Sequence, residues 1–288
     1  MKGWLPLLAV AIVTTPGLLK AAPAELERAR QLFSRSQYQA ALTILAPFSS
    51  AADGPTQELL GKTYFMLGEY KKAAQAFEKA TTISPSNSPY FHWLGKAQGR
   101  RAESSSPFTA PAYAAKARDA FEKAVELDGK NLEAINDLFS YYLEAPGFLG
   151  GGVDKAANLT NRIQAIDPVE YHYAMAQIAD KRKDYQGAES HFRRALELAP
   201  RQVGRIIDLA KYLSAHGKEN EGETLFLQAE KIAPNDPRVM FERAQYLIRA
   251  KKNLDVAKSL LERYLKSPLT SDHPPRAEAE KLLRQAGA

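Results

Sequence analysis

Residues 54–87 read GPTQELLGKTYFMLGEYKKAAQAFEKATTISPSN, and this stretch decides the fold. Two helical segments are separated by Gly68, which supplies a turn after the first helix. Pro85 ends the second helix, because proline has no amide hydrogen with which to continue it. Gly61 is small enough for the two backbones to approach closely, and Phe77 fills the space beside it. The stretch therefore predicts two antiparallel helices in tight contact.

The same arrangement returns along the chain with a period of 34 residues. Pro200, Pro234 and Pro268 stand 34 residues apart. An ordinary helical bundle would not explain this constant spacing, whereas stacked structural repeats would. The matching positions are Ala176, Tyr185, Ala188, Phe192 and Ala195 in one copy, and Leu209, Ala210, Gly217, Phe226 and Ala229 in the next.

These residues resemble the tetratricopeptide repeat (TPR), a unit of two antiparallel helices, A and B. The resemblance implies an all-α fold, a right-handed superhelix (α-solenoid) of about seven helix-turn-helix repeats. Each unit buries its apolar face only against its neighbours, so we expect one continuous array. The repeats are placed near residues 25–53, 54–87, 88–131, 132–168, 169–202, 203–236 and 237–270, and a C-terminal capping helix, begun by Pro274-Pro275, lies within 271–288.

Two repeats are longer than the period allows. The third has ten extra residues, which we place between its helices at 99–111, where Ser104-Ser105-Ser106-Pro107 predicts a solvated loop. The fourth has an excess at 145–152, which contains Gly150-Gly151-Gly152. Three glycines before a helix could form an amide-lined nest for an anion. The alternative is an inter-helix loop closed by Asp154 near the start of the next helix.

The first 24 residues have the features of a secretory signal peptide. Lys2 gives a positive start, residues 4–19 are apolar, and Ala22-Pro23-Ala24 fits the A-x-A cleavage pattern. The apolar stretch is shorter than the ~20 residues that a spanning helix needs. We expect residues 1–24 to be removed and the mature chain, from Glu25, to be exported to the periplasm or secreted, without a stable membrane span. An uncleaved anchor is the alternative.

The composition excludes several classes of function. The chain has no cysteine, so it has neither disulfides nor thiolate metal sites. The formal charge of +6 falls to +4 without Lys2 and Lys20, too mild a charge for a nucleic-acid partner. The five histidines have no metal-binding spacing, and no serine stands in a nucleophile elbow. We therefore expect no metal, no cofactor and no enzymatic activity.

The resemblance also implies a concave groove lined by the A helices, which receives an extended peptide or another protein. Four of the seven ninth positions of the repeats are basic and none is acidic, which favours a ligand that carries carboxylates. The alternative is an unspecialised groove of solvated polar residues. The ordered carboxylate-clamp set of chaperone-binding members is not reproduced. The predicted groove residues are Arg30, Lys62, His92, Lys96, Arg100, Asn136, Tyr173, Gln177, Lys211, Phe241, Gln245 and Arg249.

The sequence thus favours a protein–protein scaffold of the periplasm or cell envelope. The alternative is an accessory protein that binds a small ligand near residues 147–152. The helical array itself does not separate the two, because a fold does not specify a function. The sequence carries no signal for an oligomeric state.

Overall fold

The computed structural model describes residues 23–270 and 273–287. These residues form α-helices and two short 3₁₀ turns, and no strand occurs among them. The helices are α1 (Pro23–Ser34), α2 (Tyr38–Leu45), α3 (Gly54–Met66), α4 (Tyr70–Ile83), α5 (Ser88–Glu103), α6 (Ala110–Leu127), α7 (Leu132–Glu144), α8 (Val153–Ile166), α9 (Pro168–Lys181), α10 (Tyr185–Leu198), α11 (Val203–Ala215), α12 (Glu219–Ile232), α13 (Pro237–Ala250), α14 (Leu254–Lys266) and α15 (Arg276–Gly287).

Helices α1 to α14 pack as seven consecutive pairs, numbered here pair 1 to pair 7. Helix α15 packs against α14 and α13 and covers the last pair. The all-α superhelix with a terminal helix, predicted from the 34-residue period, is confirmed. The predicted signal segment, 1–24, lies outside the described residues except for Pro23 and Ala24, which begin α1.

In most pairs, a side-chain cap fixes where the first of the two helices begins. The Asp53 carboxylate accepts a hydrogen bond from the Thr56 amide at the start of α3. Such a cap satisfies an amide that has no partner inside the helix, and its loss costs about 1 kcal/mol. The residues that cap α3, α5, α7, α9 and α13 in this way are Asp53, Asn87, Asn131, Asp167 and Asp236.

In pairs 2 and 3, a glycine of the first helix packs against an aromatic ring of the second. A Cβ atom added at Gly61 would lie 2.7 Å from the Phe77 ring, and one at Gly95 would lie 2.5 Å from Phe121. Only glycine leaves room for these contacts. The Trp93 ring stacks on Phe77, with centroids 5.8 Å apart, and so joins pair 2 to pair 3. The close helix contact predicted from the small residues is therefore present.

The first helices of the pairs form the inner face of the array. Helix α3 contacts α5, α5 contacts α7, and α11 contacts α13. Second helices of neighbouring pairs show no contact of comparable extent within the described residues. Because successive units are closer on one side, the array curves toward the first helices.

The two insertions differ from the prediction in detail. The predicted loop at 99–111 is wrong at both ends, because α5 continues to Glu103 and α6 begins at Ala110. The extra residues lengthen both helices, and the Arg101 guanidinium lies 4.0 Å from the centre of the Tyr113 ring between their lengthened ends. In the second insertion, Arg118 and Tyr141 hold the turn by donating to the Leu149 carbonyl at 3.0 and 2.9 Å. Asp154 does not close this loop; it pairs with Arg182 at 2.9 Å.

Candidate binding surface on the inner face

The structure distributes the predicted groove residues over three degrees of exposure. Arg30, Lys211 and Arg249 are exposed; Lys62, Lys96, Arg100, Asn136, Tyr173, Gln177 and Gln245 are partly buried; His92 and Phe241 are buried. Ten of the twelve therefore reach the surface to some extent.

His92 and Phe241 correct the prediction. His92 is 2% exposed, and its Nε2 lies 2.7 Å from an Asp137 carboxylate oxygen on α7. Phe241 is 3% exposed and its ring packs against Tyr264, with centroids 5.2 Å apart. His92 and Phe241 both stand at the fifth position of their repeats. At these two sites the side chain lies between neighbouring helices and is buried there. These two residues hold helices together and do not face a partner.

Three of the six lysines and arginines predicted for the groove are paired with carboxylates. The Lys62 ammonium group lies 2.5 Å from Glu58, and that of Lys211 lies 2.8 Å from Glu242. Arg100 pairs with Glu103 at 2.6 Å. The inner face is therefore less basic than the residues at the ninth position of each repeat indicate. The carboxylates that pair with these lysines stand at other positions of the repeat.

Two of the predicted lysines lie over the ring of Trp93. The ammonium groups of Lys62 and Lys96 lie 5.1 and 4.9 Å from the centre of its ring. A cation over an indole ring is attracted by the negative face of the π system. The structure thus brings Lys62 of pair 2 and Lys96 of pair 3 to one point.

One cavity, called here the inner cavity, lies where α5, α6, α7 and the second insertion meet. Its volume is about 440 Å³, within the range of ~300–1,000 Å³ that is usual for ligand pockets. It is lined by Phe65, Lys96, Gly99, Arg100, Ala102, Glu103, Ala114, Ala117, Phe121, Asp137, Tyr141, Glu144, Ala145, Pro146 and Leu149.

The inner cavity combines apolar and charged groups. Aromatic residues, alanines, Pro146 and Leu149 make up nine of its fifteen lining residues. Lys96 and Arg100 stand on α5, and Asp137 and Glu144 stand on α7. Both insertions border the cavity, since Ala102 lies in the lengthened part of α5 and Pro146 lies in the second insertion. The unusual length of two neighbouring repeats was the signal in the sequence that could have indicated it.

A smaller cavity joins three further predicted residues. Lys211, Gln245 and Arg249 line a space of about 270 Å³ between α11 and α13. Tyr246 and Glu242 complete its charged and aromatic walls. The two cavities thus bring together five of the twelve predicted groove residues, Lys96 and Arg100 in one and Lys211, Gln245 and Arg249 in the other.

Tyr173, predicted to stack on a ligand, already has a partner. The Arg205 guanidinium lies 4.2 Å from the centre of its ring and pairs with Glu170 at 2.7 Å. Arg205 also pairs with Asp208, and Asp208 in turn pairs with Arg238 at 2.8 Å. Burial raises the pKa values of both carboxyl groups, Glu170 and Asp208, while the arginines oppose this effect. This buried ion chain joins the first helices of pairs 5, 6 and 7, and sequence reasoning did not predict it.

Two of the scattered histidines meet in the fold. The Nδ1 atoms of His172 on α9 and His191 on α10 lie 3.0 Å apart. Within the described residues, no group of three or more histidine, aspartate or glutamate side chains could hold a metal ion. The same part of the chain contains no helix long and apolar enough to cross a membrane.

The tetratricopeptide-repeat family model matches residues 56–87 and 169–202, which correspond to pairs 2 and 5. The chain contains tetratricopeptide repeats, at residues 56–87 and 169–202. A TPR protein from Parabacteroides merdae superposes with a TM-score of 0.62 at 12% identity, over 92% of this chain and 98% of the other. A thermophilic TPR protein from Thermus thermophilus gives 0.53 at 20% identity, over 66% and 97%.

At these identities the likeness to solved TPR structures shows a shared fold alone. None of the curated proteins matches the chain. Tetratricopeptide repeats generally mediate protein–protein interactions.

Proposed function

We propose that this chain is a non-enzymatic scaffold of the periplasm or cell envelope, which binds a linear segment of a partner protein on its inner face. The observation that carries the proposal is the inner cavity, where the first helices of three successive pairs meet an insertion. Export rests on the signal-like residues 1–24, which lie outside the described residues apart from Pro23 and Ala24.

The lining of the inner cavity indicates what the segment carries. Phe65, Phe121 and Tyr141 offer apolar surface to one or two large side chains. The charged part of the lining is mixed: Lys96, Arg100 and Glu103 stand on α5, with Arg100 paired to Glu103, and Asp137 and Glu144 stand on α7. Apolar anchors in a pocket supply most of the free energy of such complexes, and flanking charges set orientation and partner choice.

The test uses Gly99, which lines the inner cavity and has no atom within 4 Å of an added Cβ. Gly99→Leu fills the cavity, whereas Gly99→Ala adds only a methyl group at the same point. The mature chain and both variants are used for affinity capture from an envelope extract. We expect one protein to be retained by the wild type and by Gly99→Ala, and to bind Gly99→Leu about tenfold more weakly once purified.

Equal retention by Gly99→Leu and Gly99→Ala would contradict the proposal. Charge reversal at Lys62 or Lys211 is a poorer test, because it places a second carboxylate beside Glu58 or Glu242. Circular dichroism confirms that each variant is folded before its binding is compared.

The second candidate is an accessory protein that holds a small molecule. The observation that favours it is the position of the inner cavity against residues 145–149. A ligand held there would be released on denaturation of protein purified from its native source. A compound that mass spectrometry finds with the wild type and Gly99→Ala, and not with Gly99→Leu, would support this candidate over the scaffold.

Export has its own test. The full chain is expressed, the cell is fractionated, and the intact mass of the protein is measured in each fraction. We expect a periplasmic or secreted form that begins at Glu25. A chain that keeps residues 1–24 and stays with the membrane fraction would instead establish the uncleaved anchor.

A further inference from the structure

The turns of the array alternate between two edges. Helices joined by short turns run antiparallel, so the chain reverses its direction at every turn. The turns inside the seven pairs therefore lie along one edge, called here the intra-pair edge: 35–37, 67–69, 104–109, 145–152, 182–184, 216–218 and 251–253. The turns that lead from one pair to the next form the opposite, inter-pair edge: 46–53, 84–87, 128–131, 167, 199–202 and 233–236.

Exposed aromatic rings mark the intra-pair edge of three consecutive pairs. Phe108 is 95% exposed and Phe148 is 82% exposed, each in one of the two insertions. Tyr185, the first residue of α10 in pair 5, is 50% exposed. Among the described residues these are the three most exposed large apolar side chains. Grouped apolar side chains in water mark a surface that binds another molecule.

The two edges carry opposite charge. The turns of the intra-pair edge contain six basic residues against the acidic Glu69 and Asp184. The six are Arg35, Arg182, Lys183, Lys218, Lys251 and Lys252. The turns of the inter-pair edge contain two basic residues, Lys130 and Arg201, against four acidic ones, Asp53, Asp128, Asp167 and Asp236. Helix capping accounts for three of these aspartates, but it does not account for the exposed rings.

Part of the positive charge of the intra-pair edge is neutralised. Ion pairs join Arg182 to Asp154, Lys218 to Glu189 and Lys252 to Glu219, at 2.9, 2.7 and 2.6 Å. Glu69 in turn pairs with Lys72 at 3.3 Å.

An excess of positive charge remains once these pairs are set aside. Arg35, Lys183 and Lys251 are exposed, and none of them forms an ion pair within the described part of the chain. Lys155, at the end of the second insertion, donates to the Gly150 carbonyl, which leaves its charge in place. Asp184 is the one acidic residue of these turns without a basic partner among the described residues.

This combination of groups fits a lipid surface. Aromatic rings are favoured at the level of the lipid headgroups, and lysine and arginine near that level are attracted to anionic lipids. Phe108 and Phe148 have almost no protein around them, so they protrude from the fold and do not form the wall of a groove for a peptide.

We propose that the intra-pair edge docks the protein on an anionic membrane surface. Phe108, Phe148 and Tyr185 enter the headgroup region, and the unpaired basic residues of the edge face the lipid phosphates. The inner face lies between the two edges, so docking by one edge leaves it open to a partner. The proposal goes beyond the proposed function and does not depend on the inner cavity.

The first test measures how the exposed rings affect binding to vesicles. The mature chain is sedimented with vesicles of phosphatidylglycerol and phosphatidylcholine in equal parts, and with vesicles of phosphatidylcholine alone. Phe108→Ala/Phe148→Ala removes both rings, and Leu198→Ala/Leu227→Ala removes two exposed apolar side chains away from the intra-pair edge. We expect the first variant to bind the anionic vesicles about tenfold more weakly than the second.

The second test compares charge at the two edges. Lys183→Glu/Lys251→Glu changes the net charge as much as Lys130→Glu/Arg201→Glu does, and all four positions are exposed. We expect the intra-pair variant to bind about tenfold more weakly than the inter-pair variant. High salt should release the wild type from the vesicles, because salt screens exposed charges.

Three outcomes would overturn the proposal. They are the absence of binding to the anionic vesicles, equally tight binding to the neutral ones, and intra-pair variants that bind like their controls. If vesicles do not bind but Phe108→Ala/Phe148→Ala loses a protein captured by the wild type, the edge instead binds a protein. Gly99→Leu should bind vesicles as the wild type does, which separates this proposal from the proposed function.

A fluorescence measurement separates insertion from simple attraction. The chain has no cysteine, so an environment-sensitive fluorophore can be attached at one position. Gly147→Cys places it beside Phe148, where an added Cβ meets no atom within 4 Å. Ser86→Cys is the control, exposed on the inter-pair edge. We expect anionic vesicles to raise the emission and shift it to the blue at Gly147→Cys alone. The same response at both positions, or at neither, would overturn the proposal.

Discussion

At the scale of the residue, the same amino acid has opposite roles within one helix. Gly95 and Gly99 both lie in α5, one turn apart. Gly95 faces the Phe121 ring, where a side chain has no room, whereas Gly99 faces the open inner cavity. The first is required for packing and the second leaves space for a ligand.

This difference predicts opposite effects of one substitution. Gly95→Ala forces a methyl group against Phe121 and is expected to lower the free energy of unfolding by ~1–3 kcal/mol. Gly99→Ala meets nothing and should raise it by ~0.5–1 kcal/mol, because glycine has the larger conformational entropy in the unfolded chain. Urea denaturation followed by circular dichroism measures both. A stabilising Gly95→Ala would show that the Phe121 ring moves aside freely.

Buried charge predicts a second contrast between single residues. Arg205 is 8% exposed and lies between Glu170 and Asp208, so Arg205→Met leaves two buried carboxyl groups without it. Breaking such a pair from one side costs ~3–5 kcal/mol. Arg194 pairs with Glu197 on the surface, and Arg194→Met should cost less than about 1 kcal/mol. Similar shifts of the urea midpoint for both variants would be inconsistent with a buried ion chain.

At the scale of the element, helices of one pair are joined by contacts that respond to pH. His172 on α9 and His191 on α10 face each other. Burial lowers the pKa of His172, and His191 and Arg194 lower it further. Burial also lowers the pKa of His191, against a smaller opposing effect of Asp184. Both imidazoles are thus neutral at neutral pH, and one can donate to the other.

The sign of the pH effect follows from these shifts. A folded pKa below the ordinary value of about 6.5 means that the unfolded chain binds more protons near that pH. The contribution of the pair to stability is therefore complete above about pH 6.5 and is lost as the pH falls below it. We expect the double variant His172→Gln/His191→Gln to lose less stability than the wild type between about pH 7.5 and 5.5.

The control for this prediction is His216→Gln, since His216 lies 3.3 Å from the Asp180 carboxylate and belongs to a different pair. Urea midpoints at several pH values give the comparison. If the double variant and the wild type lose stability in parallel, the two imidazoles do not control the acid sensitivity of pair 5.

At the scale of the whole molecule, seven pairs curve far enough for Leu269, in the segment after α14, to reach pair 1. Small rotations between successive units add up along a solenoid. The hydrogen bond that the Tyr38 hydroxyl donates to the Leu269 carbonyl is the result. Residues of pairs 1 and 2 and of the segment after α14 therefore line a common cavity.

Tyr38→Phe tests how strongly this contact holds. The substitution removes one hydrogen bond, worth about 1 kcal/mol, and keeps the ring that packs on Phe33. Amide exchange at Leu269 and the residues next to it should become several-fold faster, while exchange in α13 stays the same. Tyr185→Phe, on pair 5, is the matched control. Unchanged exchange at Leu269 would mean that its buried side chain holds this segment without the hydroxyl.

The sequence by itself determined the pairs, because Gly61, Gly68 and Pro85 act within one unit and the 34-residue period repeats them. It also indicated which helices face inward. It did not indicate that Glu58 and Glu242 neutralise Lys62 and Lys211, or that His92 and Phe241 are buried. These facts depend on contacts within and between helices that no single position of the repeat defines.

Only the tertiary structure decided the candidate site. The inner cavity exists because two insertions in neighbouring units lie side by side, and the contact of Tyr38 with Leu269 exists because the first pair and the segment after α14 meet. The sequence showed each insertion and the capping segment separately. Their distances in space depend on the rotation between successive units, which is a property of packed side chains summed over the whole array and which no local pattern specifies.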